Sequence, residues 1–376
     1  MYRKNSYNVL QTGLLLLIGI MTKQLTKIRI YPLAIMSLIV ILASSCKKNS
    51  DSPVPPDNGK KKLQVYAHRG ARSFAPENTI PGYTTGLAIG THWVDMDIVM
   101  TKDGVVLVSH DIRLNPNIVR GADGKFITDR KLVKDLTLAE MQQYDVGRID
   151  TTSAYSKYFP AQLGMDGVHM PTLRDVIRYV TSKTNGRVGF QIEFKTDPEH
   201  TDWTYTPAEF AASLYGILKE ESIVTKCEIQ SFDWRCLYEL QKIDKRINTA
   251  YLTEWDNEAG CPNSFFDPDP AKAGLWTGGV LVKDHKNSIP QMVKDAGGTC
   301  WEPEDVELTQ EKLDEAHKLG LKVVVWTWPE HIGTTFDISL VSKLIEWGVD
   351  GIITDDPGQL ISMLSARKYA LPVTFR

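Results

Sequence analysis

Eight short runs rich in Val, Ile and aromatic residues recur along the chain, at 63–67, 92–99, 188–194, 226–231, 247–252, 299–302, 322–327 and 351–354. Helix-like stretches usually follow them, and the amphipathic ones at 172–184, 309–319 and 338–347 each run into Gly or another turn residue. Parallel strands need a crossover between them, so strand-then-helix repeated eight times predicts an α/β fold, a (β/α)8 TIM barrel. Active sites of such barrels lie at the C-terminal ends of the strands, which directs attention to the residues that close each run.

One further run, 105–109, stands outside that count. Only Thr101-Lys102-Asp103-Gly104 separates it from the second strand, and so short a link allows a hairpin but no parallel crossover. A turn centred on Lys102-Asp103 sets position i opposite 205−i and brings His110 beside Asp95. Residues 111–170 then carry loops and one predicted helix at 137–144, too much for an ordinary βα loop, and are read as a subdomain inserted over the barrel mouth after the second-strand hairpin. A second irregular stretch at 254–279 carries Trp, Phe and Pro.

Charge divides the chain at the point where the strands begin. The 376 residues sum to a net charge of −3, yet residues 1–62 hold 10 Lys+Arg against 2 Asp+Glu, and residues 63–376 hold 33 against 44. An acidic body argues against nucleic acid as a partner, and 42% hydrophobic content argues against disorder or a polytopic membrane protein. In the basic leader, the apolar stretch 30–45 follows Lys23, Lys27 and Arg29 and ends in Leu42-Ala43-Ser44-Ser45-Cys46. It resembles a bacterial lipoprotein signal, with residues 1–46 as signal peptide (Met21 being an alternative start), Cys46 lipidated, and 47–62 as a flexible tether. That reading gives the protein a membrane partner through its lipid and places it in the cell envelope, facing the periplasm or the cell surface. Cys227, Cys236, Cys261 and Cys300 are then either disulfide partners or buried thiols.

Within the domain 63–376, Asp95 and Asp97 share one strand face while Val94, Met96 and Ile98 share the other. With helices covering the outside, the charged face is interior, where paired carboxylates need a cation or a shared proton. Glu193 and Lys195 repeat the spacing on the next parallel strand, either as a salt bridge or as part of the same site. Asp95, Asp97 and Glu193 form an oxygen-only set suited to one divalent ion, Mg²⁺ or Ca²⁺, with Mn²⁺ also compatible. His68 and His110 would flank that ion, with Arg69 and Lys195 supplying positive charge for a phosphate ester. Trp276, Trp301, Trp326, Trp328, Phe232 and Phe266 are candidates for the mouth wall, with core packing the alternative.

These pieces fall in a recognisable order: His68-Arg69-Gly70, Pro76-Glu77-Asn78-Thr79, Asp95-Met96-Asp97-Ile98, Thr101-Lys102-Asp103-Gly104 and His110-Asp111. Leu136-Thr137-Leu138-Ala139-Glu140, Pro171-Thr172-Leu173, Glu193-Phe194-Lys195, Gln230-Ser231-Phe232, Trp326-Thr327 and the run from Gly348 to Asp355 complete it. The sequence resembles the glycerophosphodiester phosphodiesterase family across residues 64–364. That resemblance implies hydrolysis to glycerol 3-phosphate and an alcohol, with His68 and His110 as the acid/base pair and Asp95, Asp97 and Glu193 holding the metal. By the same resemblance Arg69 and Lys195 contact phosphate and Glu77 supports the site; Phe232 and Trp326 remain the rim candidates among the aromatic residues. The family usually has Glu at the place of Asp95, and Val-Asn where Trp328-Pro329 stand here. Competing readings are a related phosphodiesterase acting on intact phospholipid or a sugar phosphodiester, and a surface lipoprotein that binds a phosphorylated ligand without turning it over.

Overall fold

The computed structural model describes residues 61–254, 267, 269–327, 329 and 333–376. Met21, Cys46, Cys261, Phe266 and Trp328 lie outside the described residues. Its strands are β1 (Gln64–Ala67), β2 (Trp93–Met100), β3 (Val106–Val108), β4 (Gly189–Phe194), β5 (Cys227–Ser231), β6 (Asn248–Thr253), β7 (Cys300–Pro303), β8 (Lys322–Trp326) and β9 (Gly351–Thr354). All but β3 run parallel, in the order β1-β9-β8-β7-β6-β5-β4-β2, and β1 pairs with β2 to close the ring. This is the (β/α)8 barrel that the strand–helix recurrence predicts, with every barrel strand within one residue of its expected ends.

Helices α1 (Ile80–Ile89), α2 (Leu138–Met141), α3 (Leu173–Thr184), α4 (Pro207–Glu220), α5 (Trp234–Ile243), α6 (Pro270–Ala273), α7 (Ile289–Asp295), α8 (Gln310–Lys318), α9 (Ile338–Trp347) and α10 (Pro357–Ala366) fill the connections. In α3, Leu173, Val176, Ile177 and Val180 recur at helical spacing and are buried. Thr172 starts this helix by accepting the Asp175 N–H, and Asn185 ends it in a left-handed conformation at φ 52. The helix expected at 137–144 shrinks to α2, because the chain is drawn at once into a pair of backbone hydrogen bonds between Asp145 and Arg120.

The hairpin register differs by one residue from the sequence expectation. Ile98 faces Val108, Val99 faces Leu107 and Met100 faces Val106, so position i stands opposite 206−i. Lys102, Asp103 and Gly104 form a three-residue loop closed by the Thr101 N–H on the Val105 carbonyl, with Gly104 at φ +77. A left-handed glycine after a turn adds the extra residue that a two-residue turn lacks.

Strand alternation separates two environments. Val94, Met96, Ile98, Phe190, Ile192 and Phe194 point outward into one apolar cluster with the helix faces. Trp301 belongs to that outer core rather than to the mouth: it is fully buried and donates its indole N–H to Thr253 at 2.9 Å. Inward, Tyr66, Leu252, Val324, Trp326 and Ile353 form a separate cluster. At the barrel floor Lys322 pairs with Glu228 at 2.9 Å, and Tyr66 stacks on Trp93 at 5.6 Å. The stretch 111–170 packs Leu114, Val119, Val133, Met141 and Val168 onto Val99 and Leu107 of the hairpin. Cys227, Cys236 and Cys300 are buried free thiols.

Candidate active site

The chain turns immediately after β1. Gly70, at φ +86, lies so close to α1 that a Cβ would come 2.7 Å from the Gly82 carbonyl carbon, which excludes any side chain. Arg69 beside it also takes a left-handed backbone, φ 50, at a cost that its contacts offset. Its N–H donates to Asp95 Oδ2 at 3.0 Å, and its guanidinium reaches Glu77 at 2.8 Å and Asp97 at 3.4 Å.

His68 Nδ1 lies 2.7 Å from Asp355 Oδ1, and Arg72 grips the same carboxylate through Nε at 2.6 Å and Nη2 at 3.0 Å. A carboxylate can only accept, so Nδ1 carries the hydrogen and Nε2 offers its lone pair. The Arg69 Nε–H at 3.3 Å from Nε2 is consistent with that tautomer. Burial lowers the His68 pKa to about 4; Asp355 opposes this, while Arg72 and Arg69 add to it. The imidazole is therefore a neutral base at neutral pH.

His110 reaches the same cavity by another route. Continued pairing at 206−i would set it opposite Met96 on the outer face, not beside Asp95 as the sequence register implies. The strand ends at Val108, and His110 turns onto the cavity wall with Asp111 Oδ1 3.4 Å from its Nδ1. Burial lowers its pKa, Arg69 and Lys195 act in the same direction, and Asp97 and Asp111 oppose them.

The register of β2 on β4 sets Asp95 beside Gln191 and Asp97 beside Glu193. Asp95, Asp97 and Glu193 are 2%, 1% and 7% exposed, so their charge has little help from water. Burial first, then Asp97, pushes Asp95 upward; burial raises Glu193 as well, with Lys195 opposing and Asp97 adding. At Asp97 burial is outweighed by Lys195 and Arg69, with Asn78 donating at 2.7 Å, and the group is held ionised. Lys195 bridges Asp97 at 3.1 Å and Glu193 at 2.5 Å, and Gln230 donates to Asp95 at 2.7 Å. Three buried oxygen donors with more negative charge than their cationic neighbours settle fit a hard divalent cation.

Among the described residues, the acid and thiol atoms that meet within 4.8 Å of one another belong instead to Glu228, Cys300 and Glu302. Lys322 already pairs with Glu228, Gln191 donates to Glu302 at 2.5 Å, and burial raises both Cys300 and Glu302 toward their protonated forms. That mixed set lies off the cavity wall, so its geometry serves the barrel interior better than the reaction.

A cavity of about 350 Å³ collects the predicted residues. His68, Arg69, Asp95, His110, Glu193 and Lys195 form one side, and Phe232 and Trp326 stand on the other. Asp97 and Glu77 lie behind, Glu77 holding Arg69 and accepting the Tyr155 hydroxyl from the 111–170 stretch. Sequence reasoning missed Asp355, Arg72 and Asn78 as functional groups. Asp355 was legible in principle, since closure of the ring sets the end of β9 beside the end of β1.

A family model described as the glycerophosphoryl diester phosphodiesterase family matches residues 68–359. The chain belongs to that family. It is a phosphoric diester hydrolase. The glycerophosphodiester phosphodiesterase of Bacillus subtilis (strain 168) is 25% identical over 329 residues, 86% of this chain and 92% of that protein. A solved structure from Silicibacter pomeroyi DSS-3 is 30% identical with a TM-score of 0.70, covering 83% of this chain and 96% of its own. The fold is shared, at 20% identity and a TM-score of 0.57, with an Oleispira antarctica phosphodiesterase solved with its product sn-glycerol-3-phosphate; that match covers 81% of this chain and 97% of the other.

Proposed function

We propose that this family member hydrolyses glycerophosphodiesters to glycerol 3-phosphate and an alcohol, with His68 as general base and His110 as general acid. The observation that carries this reading is the pair of imidazoles on one cavity wall with Arg69 and Lys195, His68 being held in its basic tautomer by Asp355. Burial lowers both imidazoles, and the contact of His68 Nδ1 with Asp355 leaves Nε2 as the acceptor, which favours His68 as the base.

Asp95, Asp97 and Glu193 would hold a divalent cation, Mg²⁺, Ca²⁺ or Mn²⁺, which when bound neutralises the non-bridging oxygens. Arg69 and Lys195 bind and orient the phosphate. His68 Nε2 takes the proton from the attacking hydroxyl, either the substrate's own 2-hydroxyl or water. The new P–O bond forms as the bond to the alcohol breaks, and His110 gives that alkoxide its proton. If a cyclic phosphate results, water opens it with the two imidazoles exchanging roles.

Release of choline from glycerophosphocholine, compared with its release from intact phosphatidylcholine, tests the substrate. Turnover of the deacylated diester alone is expected, and turnover of the intact lipid alone would overturn the reading. For the leader, the order of basic residues, apolar stretch and small residues before Cys46 supports a lipid-anchored envelope protein with 47–62 as tether. Mass spectrometry of the mature protein is expected to find acylated Cys46 at its N-terminus, and an unprocessed leader would contradict the assignment.

A further inference from the structure

The turn after β1 and the end of β9 are joined by a polar circuit that closes on itself. His68 Nδ1 meets Asp355, Asp355 holds Arg72, and Arg72 Nη1 donates to the Tyr155 hydroxyl at 3.1 Å. That hydroxyl donates to Glu77 Oε2, Glu77 Oε1 accepts from Arg69 Nη1 at 2.8 Å, and Arg69 Nε returns to His68 Nε2 at 3.3 Å. His68, Arg69, Arg72 and Glu77 all belong to the chain between 68 and 77, whereas Tyr155 comes from the inserted stretch.

Between a guanidinium that only donates and a carboxylate that only accepts, the linking group must do both. A phenol meets that demand with its lone pair and its hydrogen. Burial, then Glu77, pushes the Tyr155 pKa well above its ordinary value, so the hydrogen stays in place. The segment that carries Tyr155 is itself tied down. Tyr155–Lys157 is a single 3-10 turn, and the Phe159 ring meets Tyr155 edge on at 5.0 Å and lies 4.6 Å from the Arg72 guanidinium carbon. Gln162 Nε2 donates to the Arg72 carbonyl at 2.7 Å, and the Leu163 N–H to the Phe74 carbonyl at 3.0 Å. Residues 155–163 therefore form a strap along 72–77, with the Tyr155 hydroxyl as its hydrogen bond into the charged side chains.

We infer that Tyr155 is a positioning residue for the phosphodiesterase reaction: through Glu77 it aims Arg69 at the phosphate, and through Arg72 and Asp355 it keeps His68 Nε2 toward the cavity. This deepens the proposed hydrolase reading and rests on it. The Arg69–His68 contact is the longest in the circuit, and it is the one that the attacking hydroxyl replaces when the diester binds. The other contacts keep both groups in place while it does so. The inserted stretch thereby supplies part of the geometry of the site.

The test measures hydrolysis of glycerophosphocholine by the full chain as wild type, Tyr155→Phe and Tyr155→Leu, with a melting profile for each. Phe keeps a ring against Phe159 and loses the hydroxyl, whereas Leu loses both. A positioning role predicts that kcat/KM falls about 10- to 100-fold in both variants, more through kcat than through KM, with the melting temperature lowered further in Tyr155→Leu. Near-wild-type kcat/KM in Tyr155→Phe would mean that the ring acts by packing alone, and it overturns the inference while leaving the hydrolase intact. A second measurement combines Tyr155→Phe with Glu77→Gln. Because both act on Arg69 through one link, the cost of Tyr155→Phe should shrink about threefold or more in that background, and full additivity overturns the route through Glu77. A wild type that cleaves no glycerophosphocholine overturns the hydrolase reading and the positioning role with it.

Discussion

The two halves of the barrel mouth are built from the same strand alternation and differ in what holds them. On β1, β2 and β4 every functional group is tied to another: Arg69 to Glu77 and Asp97, His68 to Asp355, Lys195 to Asp97 and Glu193. Across β5, β6, β8 and β9 the wall is mostly aromatic and aliphatic, set by packing and by a few indole and backbone hydrogen bonds. Hydrogen-bonded ionic networks are sensitive to distance and to each missing partner, whereas dispersion contacts yield gradually. The charged half is thus suited to chemistry and the aromatic half to selection.

If that division is right, the largest effects of substitution belong to the charged half. His68→Ala and His110→Ala should each lower kcat about 10²–10⁴-fold while circular dichroism and the melting temperature stay near wild type. Near-wild-type turnover by either variant would break the assignment. Asp355→Asn should cost about 10²-fold by releasing the His68 tautomer, and it should also destabilise the fold by about 3–5 kcal/mol because buried Arg72 loses its carboxylate.

That ion pair gives a signed pH test. Asp355 is held well below the usual range: burial raises it, but Arg72 and His68 outweigh burial. Its contribution to stability is complete above the ordinary Asp value of about 3.9 and is lost as pH falls toward its depressed native value. The denaturation curves of wild type and Asp355→Asn should therefore approach one another as pH drops below about 4, and a gap that stays constant would contradict the pair. For activity, His68 at about 4 remains an unprotonated base well below the ordinary histidine value of about 6.5, so its acid limb in kcat/KM should fall below pH 5. The smallest effects are expected in the aromatic half, where Phe232→Leu should change kcat/KM only about three- to tenfold. A loss of 10³-fold there would erase the contrast between the halves.

Most of the charged half was legible because strand periodicity fixes which residues share a face. Asp95 with Asp97, and Glu193 in register beside them, follow from period-two alternation once the strands are placed. His110 was harder, since one left-handed glycine at position 104 shifted the hairpin register and only departure from the ladder brings the ring back to the site. Asp355 and Arg72 were hidden for a different reason. Their pairing spans 283 residues of chain and exists only after the ring closes, so no local pattern announces it. The aromatic half was least legible: Trp301 and Trp326 both lie on barrel strands, and only their parity on β7 and β8 separates outer core from mouth. The charge division of the chain retains its meaning in altered form, because part of the acidic surplus of the body is buried at the mouth, where three carboxylates fit a cation.

The central claim is that this buried carboxylate set makes an acidic protein able to accept and cleave an anionic diester. Its most direct test is the rate of glycerol 3-phosphate release from glycerophosphocholine by the full chain, measured before and after exhaustive chelation and again after adding back Mg²⁺, Ca²⁺ or Mn²⁺. The account predicts that activity falls to background and returns with one of these ions in the wild type, and that Asp97→Asn recovers little of it. A full rate maintained in excess chelator would contradict it.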